Sequence, residues 1–322
     1  MKALITGGAG FIGGHLTERL LRDGHEVWVL DDLSTGAMAN IDPFLAEPRF
    51  HYKIGSVLDE MLVGEYVDRA DVVFHLAAAV GVKLIVERPA HTIETNVRGT
   101  EVVLSRAAKK GKLVVVASTS EVYGKGVKIP YAEDDDLLLG ATTKSRWGYG
   151  CSKAIDEFLA LAYAREYRLP VIITRFFNTV GPRQTGRYGM VVPSFVRQGL
   201  RGEDITVYGT GEQRRCFGDV ADVVECLVRL VAEPRAVGQV FNVGTDHEIS
   251  INDLAALVRE RTGGRSRIVH VSYEEAYAEG FEDLQRRVPD LTKLERTIGY
   301  RPRTPIDTIV ERVVADVRRR GD

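Results

Sequence analysis

Short, dense apolar runs recur through the first half of the chain. Lys2–Thr6, Glu26–Leu30, Phe50–Ile54, Asp71–Leu76, Lys112–Ala117 and Val171–Phe176 each read as a brief strand, and Val240–Val243 repeats the texture later. These runs are apolar on both faces rather than alternating, as expected of strands covered on both sides. Stretches with helical spacing separate most of them. Between the first two runs, Ile12, Leu16 and Leu20 fall at four-residue spacing, predicting a helix over Gly13–Arg22 with one apolar face. Asp23-Gly24 supplies its stop. Strands alternating with helices predict an α/β fold built on a doubly wound parallel sheet.

The texture changes after Asn178. Gly, Pro and Arg crowd into Gly181-Pro182-Arg183-Gln184-Thr185-Gly186-Arg187, and the remaining elements read as short and irregular. Later helices are predicted near Ile251–Thr262 and Ile306–Arg318. The expected organisation is a sheet domain over 1–177 and a smaller mixed α/β substrate domain over 178–322, some of whose segments return to the sheet. The apolar stripe Ile155, Phe158, Leu159 and Ala162 fits either sheet packing or a subunit interface.

Composition narrows the class. The chain has 322 residues and a net charge of −2, so neither a polyanion nor a membrane surface is implied as a partner. Cys151, Cys216 and Cys226 lack metal-ligand spacing and are too few for a disulfide framework. Reduced thiols, no metal site and a cytoplasmic location are expected. No apolar run approaches the roughly 20 residues that span a bilayer. The N-terminus enters a strand at once, so no signal peptide is expected.

Two motifs carry chemistry. The first is Gly7-x-x-Gly10-x-x-Gly13, which joins a strand to a helix. Gly7 permits a tight turn, Gly10 lets a pyrophosphate approach the backbone, and Gly13 lets the helix pack on the strand. The helix start then offers N–H groups and a favourable dipole to phosphate. Asp31 ends the second strand about 20 residues later, where a carboxylate accepts both adenosine ribose hydroxyls and repels a 2′-phosphate. A Rossmann domain binding NAD rather than NADP follows, with the adjacent Asp32 able to share the task.

The second motif is Tyr149-x-x-x-Lys153, whose two side chains project from one helix face. A nearby ammonium and an oxidised nicotinamide favour the phenolate, which then takes a proton from a substrate hydroxyl. Ser118-Thr119-Ser120-Glu121 follows the strand Lys112–Ala117, at the strand end where ligands bind in open sheets. Its hydroxyls can hydrogen-bond the reacting oxygen, and Glu121 is a candidate second proton-transfer group.

With these motifs in place, the chain resembles the extended short-chain dehydrogenase/reductase family, and within it the nucleotide-sugar epimerases, dehydratases and decarboxylases. The resemblance runs over essentially the full length. It rests on GGAGFIG, DDLSTG, FHLAAA, Asn96-x-x-Gly99-Thr100, STSEVYG, YGCSK, RFFNTVGPR, RRCF and RRVPD. It implies a tightly held NAD, a UDP-sugar in the C-terminal domain and a homodimer through helices flanking Tyr149. By position it places Phe11, Ile12, Ser34, Gly36, Ser56, Val57, Leu76, Ala77, Ala78 and Asn96 around the cofactor. Thr119, Tyr149 and Lys153 match the family's catalytic group, and Asn178, Val192 and Tyr208 its substrate contacts. Arg215 and Arg287 match arginines that grip the diphosphate, a task suited to a guanidinium fork.

The resemblance also implies a shared first step, in which Tyr149 takes the O4 proton and C4 loses hydride to give a 4-keto sugar. The expected reaction is 4-epimerisation of a UDP-hexose or UDP-hexuronate. UDP-glucuronate decarboxylation is the alternative, followed by 4,6-dehydration of a nucleotide hexose. Thr119-Ser120-Glu121 and RRVPD look more like the uronic acid decarboxylases and some dehydratases, whereas Val80–Pro89 matches neither the galactose-type epimerases nor the decarboxylases well. Arg183 or Arg187 would pair with a C6 carboxylate. A non-catalytic dinucleotide sensor is disfavoured, because the Tyr149/Lys153 pair is intact beside Thr119.

Overall fold

The computed structural model describes residues 1–81, 87–185, 190–272 and 286–321. Seven strands form one parallel sheet: β1 (Lys2–Thr6), β2 (Glu26–Asp31), β3 (Phe50–Ile54), β4 (Val72–His75), β5 (Leu113–Thr119), β6 (Val171–Phe176) and β11 (Gln239–Val243). Their order is β11-β6-β5-β4-β1-β2-β3. The chain builds outward from β1 to β3, then returns to the other side of β1 with β4. That reversal opens a crevice at the carboxyl ends of β1 and β4.

Both faces of the sheet are covered. On one lie α1 (Phe11–Arg22) and α6 (Val220–Ala232), where Leu16 and Leu20 meet Val223 and Leu227. All four side chains are fully buried, and each such leucine or valine stabilises the fold by about 2 kcal/mol. On the other face lie α2 (Glu60–Arg69), α3 (Pro89–Ala108) and α4 (Arg146–Tyr167), contributing Val63, Val103 and Ala160. The Asp59 carboxylate accepts from the N–H groups of Met61 and Leu62 and so starts α2.

A third apolar cluster lies in the C-terminal part. It joins α5 (Val191–Arg201), α7 (Ile251–Arg261) and α9 (Ile306–Arg320) to β8 (Ile205–Tyr208), which pairs with β13 (Ile268–Val271). Two further small pairings link β7 (Thr179–Val180) to β10 (Gly218–Asp219), and β9 (Arg214–Cys216) to β12 (Glu248–Ser250). The short α8 (Thr292–Ile298) packs Leu294 onto the sheet cluster.

The C-terminal part is more regular than its Gly, Pro and Arg content suggests. Pro193 lies in the first turn of α5, where its missing N–H costs no helical bond. Gly199 lies inside the same helix because a side chain there would collide with Thr262. The first helix also starts earlier than its apolar spacing implies, so Phe11 and Ile12 are already helical. Among the described residues, no helix is long and apolar enough to cross a membrane. On α4, Ile155 is 43% and Phe158 69% exposed, so these two residues of the stripe do not pack on the sheet, whereas Leu159 does.

A Cβ at Gly13 would lie 2.7 Å from the Gly8 Cα and collide with the Gly7 carbonyl. Gly13→Ala is therefore expected to destabilise the chain by about 2 kcal/mol, as overpacked sites do. A urea melt checks this; an unchanged midpoint would mean the loop moves aside at no cost.

Candidate active site

The crevice at the β1/β4 switch continues into a cleft of about 1070 Å³ that reaches the C-terminal elements. Its cofactor end is built by the glycine loop. Gly7 adopts φ +73°, and a Cβ there would lie 2.7 Å from the Ala77 amide nitrogen. Gly10 caps α1 with no side-chain hydrogen bond, and no acidic residue lies in the first turn. The first N–H groups of α1 thus face the cleft uncapped, which suits a pyrophosphate.

Asp31 is 7% exposed at the end of β2. Its Oδ2 accepts from the Ala9 N–H at 2.9 Å and its Oδ1 from the Leu33 N–H at 2.8 Å. Burial pushes its carboxyl up, and these backbone donors pull it back. Asp32 is exposed and caps the Ser34 N–H at 2.9 Å, so Asp31 is the carboxylate tied to the glycine loop. The loop, the helix start and the Asp31 carboxylate together fit a dinucleotide.

Phe11, Ile12, Ser34, Val57, Leu76, Ala77 and Ala78 also line this end of the cleft. Three expected cofactor residues do not. Ser56 instead accepts from the Leu58 N–H, because its side chain closes a local turn. Asn96 is buried on α3 and holds both the N–H and the C=O of Ala79 and the Ser152 hydroxyl. Its amide fixes the β4 exit loop rather than facing the cleft. Gly36 leaves room for the Asp31 carboxylate, which a Cβ there would approach to 2.8 Å.

Tyr149 and Lys153 face the cleft from α4 and are 9% and 2% exposed. Tyr149 shares a side-chain hydrogen bond with Thr119, at the end of β5. Burial, then the carboxylates of Glu121 and Asp156, push the Tyr149 hydroxyl up, while Thr119 and Arg287 pull it down. Lys153 does not point its charge at the phenol alone. Its Nζ donates to the buried Asp156 Oδ2 at 2.6 Å. The expected ammonium beside Tyr149 is present but already paired.

Ser120, Glu121 and Arg287 form one cluster at the sugar end. Arg287 Nη1 donates to Glu121 Oε1 in a short bond and reaches Ser120 Oγ at 3.4 Å. Arg146, a residue not singled out from the sequence, lies 3.6 Å from Glu121 Oε2. Burial pushes the Glu121 carboxyl up, but Arg287, Arg146 and Arg215 outweigh it and hold it below the usual range. Arg287 therefore lies beside the phenol, not solely at a diphosphate position. One member of each tandem arginine pair is buried in the cleft, Arg215 and Arg287, whereas Arg286 is half exposed and paired with Glu248.

Asn178, Val192 and Tyr208 line the cleft. Arg183 also reaches it, but its Nη2 pairs with Glu18 and His15 on α1 at 2.6 and 2.7 Å. Its N–H donates to Asp316 at 2.7 Å. Those contacts tie the C-terminal part to the cofactor helix and leave Arg183 committed elsewhere than to a sugar carboxylate. Arg187 lies outside the described residues, as do residues 82–86 of Val80–Pro89.

Replacing Asp31 with Ala removes a charged acceptor from both the loop and the ribose position. At about 2–3 kcal/mol for such hydrogen bonds, NAD affinity should fall about 100-fold, measured by calorimetric titration. Unchanged affinity would sink this placement of the ribose.

Comparison with known proteins fits this geometry. The family model described as NAD dependent epimerase/dehydratase family matches residues 3–244. A UDP-N-acetyl-alpha-D-glucosaminuronate decarboxylase from Bacillus cytotoxicus is 43% identical, covering 94% of this chain and 92% of its own. A UDP-glucuronic acid decarboxylase from Xenopus tropicalis is 34% identical over 95% of this chain and 69% of its own. The solved UDP-glucose 4-epimerase of Thermotoga maritima superposes with a TM-score of 0.89 at 31% identity, covering all of both chains. The shared fold does not choose the reaction, whereas these two sequence relatives are decarboxylases. They overturn the expected 4-epimerase activity in favour of decarboxylation, toward which Ser120-Glu121 and RRVPD had pointed. The chain belongs to the NAD dependent epimerase/dehydratase family, and NAD is its cofactor.

Proposed function

We propose that this chain decarboxylates a UDP-linked hexuronate to a UDP-linked pentose, with UDP-N-acetylglucosaminuronate the first candidate and UDP-glucuronate the second. The relative at 43% identity supports the choice of sugar. The observation that carries the reading is the buried Ser120–Glu121–Arg287 cluster beside Tyr149.

Bound NAD supplies the hydride acceptor at C4 and returns the hydride at the end. Tyr149 takes the C4 hydroxyl proton, with Thr119 sharing the oxygen. Oxidation at C4 places a ketone β to the C6 carboxylate. The C5–C6 bond then breaks, CO₂ leaves and the electron pair enters the C4–C5 enolate. Thr119 and the protonated Tyr149 hold the enolate oxygen, as donors aimed at developing charge do. A proton from water added at C5 completes the pentose, because Arg287 and Arg146 hold the Glu121 carboxyl ionised.

The charge balance favours loss of CO₂. An uncompensated arginine would hold the sugar carboxylate as an ion pair and oppose its loss. Here Glu121 already compensates Arg287, so the guanidinium and Ser120 orient the carboxylate without trapping it.

A proton NMR time course with each uronate tests this reading. The expected product shows a new anomeric signal and the two C5 protons of a pentose, with CO₂ released. A C4-epimeric uronate, or a stable 4-ketone without CO₂, would overturn it.

Tyr149→Phe should abolish turnover and retain NAD. Arg287→Ala and Glu121→Gln should each lower kcat about 100-fold. An Arg287→Ala variant that raised KM with kcat unchanged would instead assign that side chain to substrate binding alone.

A further inference from the structure

Asp156 has no part in the chemistry above, yet it is fully buried one turn beyond Lys153 on α4. A carboxylate removed from water is retained at a cost unless its partners are specific. Its partners here form one column. Lys153 Nζ donates to Asp156 Oδ2 at 2.6 Å, Asp156 Oδ1 has no hydrogen-bond partner among the described residues, and Thr100 on α3 lies beside the carboxylate. Thr100 Oγ1 lies 3.1 Å from His75 Nε2 on β4, and His75 Nδ1 lies 2.8 Å from Thr6 Oγ1 on β1. The column ends beneath the glycine loop, where the Ala77 N–H also reaches Thr6.

The charges around the column fix what Asp156 acts on. Its own helix presents Lys153 and Glu157, and Glu157 is spent on Arg175 of β6 through a pair at 2.7 Å. From β4 comes His75, which burial and then Lys153 hold neutral, at about 3. From the end of β5 comes Glu121, paired with Arg287 and Arg146. Helix α3 brings Thr100 and Asn96 to this region and also lines the cleft with His91 and Thr95. Lys153 is thus the cation that Asp156 meets directly.

We propose that Asp156 is a positioning residue for Lys153: it fixes the ammonium at the floor of the cofactor cleft and weakens the positive field that Lys153 exerts on Tyr149. The burden of making the phenol acidic then falls on the oxidised nicotinamide, so the base forms only when the cofactor is loaded in the right redox state. Geometry carries this inference, and the direction in which Asp156 pushes Tyr149 agrees with it.

The inference rests on Tyr149 acting as base, not on the sugar processed. Its test needs no substrate, so it can fail while decarboxylation stands, and the reverse. The NAD-loaded protein is titrated with base and the phenolate band followed in the ultraviolet. Each protein is read against its Tyr149→Phe counterpart, which isolates one of the 12 tyrosines.

Asp156→Asn keeps the side-chain shape and removes the charge. The Tyr149 midpoint should fall by about one pH unit, the size of a single charge acting from several ångströms within a protein. Asp156→Ser, which keeps a hydrogen-bonding oxygen for Lys153, should shift the midpoint the same way and serves if the Asn variant does not fold. A folded variant whose midpoint is unmoved, even with lower thermal stability or slower turnover, would overturn the proposal and leave Asp156 a structural ion-pair partner.

Discussion

The close approach of the glycine loop to the end of β4 governs the rest of the site. Gly7 lies against Leu76 and Ala77 with no room for a side chain. That contact brings the glycine loop and the β4 exit loop together at the sheet's reversal. The same two strand ends carry Thr6 and His75, whose hydrogen bonds reach Thr100 on α3, which lies beside Asp156 on α4. The distance between cofactor and proton-transfer helix is therefore set by buried polar contacts rather than by loop conformation. A displaced glycine loop would be felt at Lys153 and Tyr149, although neither residue touches it in sequence.

The site also shows how a buried phenol is kept in check. Burial raises Tyr149, and two nearby carboxylates add to that. The cations at hand are largely spent, Arg287 on Glu121 and Lys153 on Asp156. The two carboxylates nearest the phenol are each held by a cation before any ligand arrives. A site of paired ions pays less for burial than one holding unpaired ions. It also leaves the decisive charge to the oxidised cofactor, which the proton transfer needs anyway.

Much of the fold was legible because its signals are local. The buried runs, the glycine spacing and Asp31 depend on neighbours within one strand–helix–strand unit, and β1, α1 and β2 follow them closely. Tyr149 and Lys153 were legible as a pair for the same reason. The C-terminal part was harder to read, because α5 and α6 gain order from packing that no local window contains. Gly199 reads as a breaker until Thr262 is placed against it. Asn96 and Ser56 read as cofactor contacts because motif position gives a residue's address but not the direction of its side chain. Asp156 left no motif signal at all, since its role depends on two helices and two strand ends meeting.

The reaction was the least legible feature, for a geometric reason. In the proposed reading its discriminating pair, Glu121 and Arg287, is separated by 166 residues. Read singly, the first is a polar strand end and the second half of a basic doublet. Only their contact beside Tyr149 gives the sugar end of the cleft its character. Inversion at C4 requires the 4-keto sugar to present its other face, so the ring must turn within the cleft. A C6 carboxylate oriented by Ser120 and Arg287 would tether the ring against that turn. In the proposed reading, the contacts that prepare the carboxylate for loss are thus the ones that disfavour epimerisation. The choice between two outcomes of one shared oxidation then reduces to whether the sugar is held at C6.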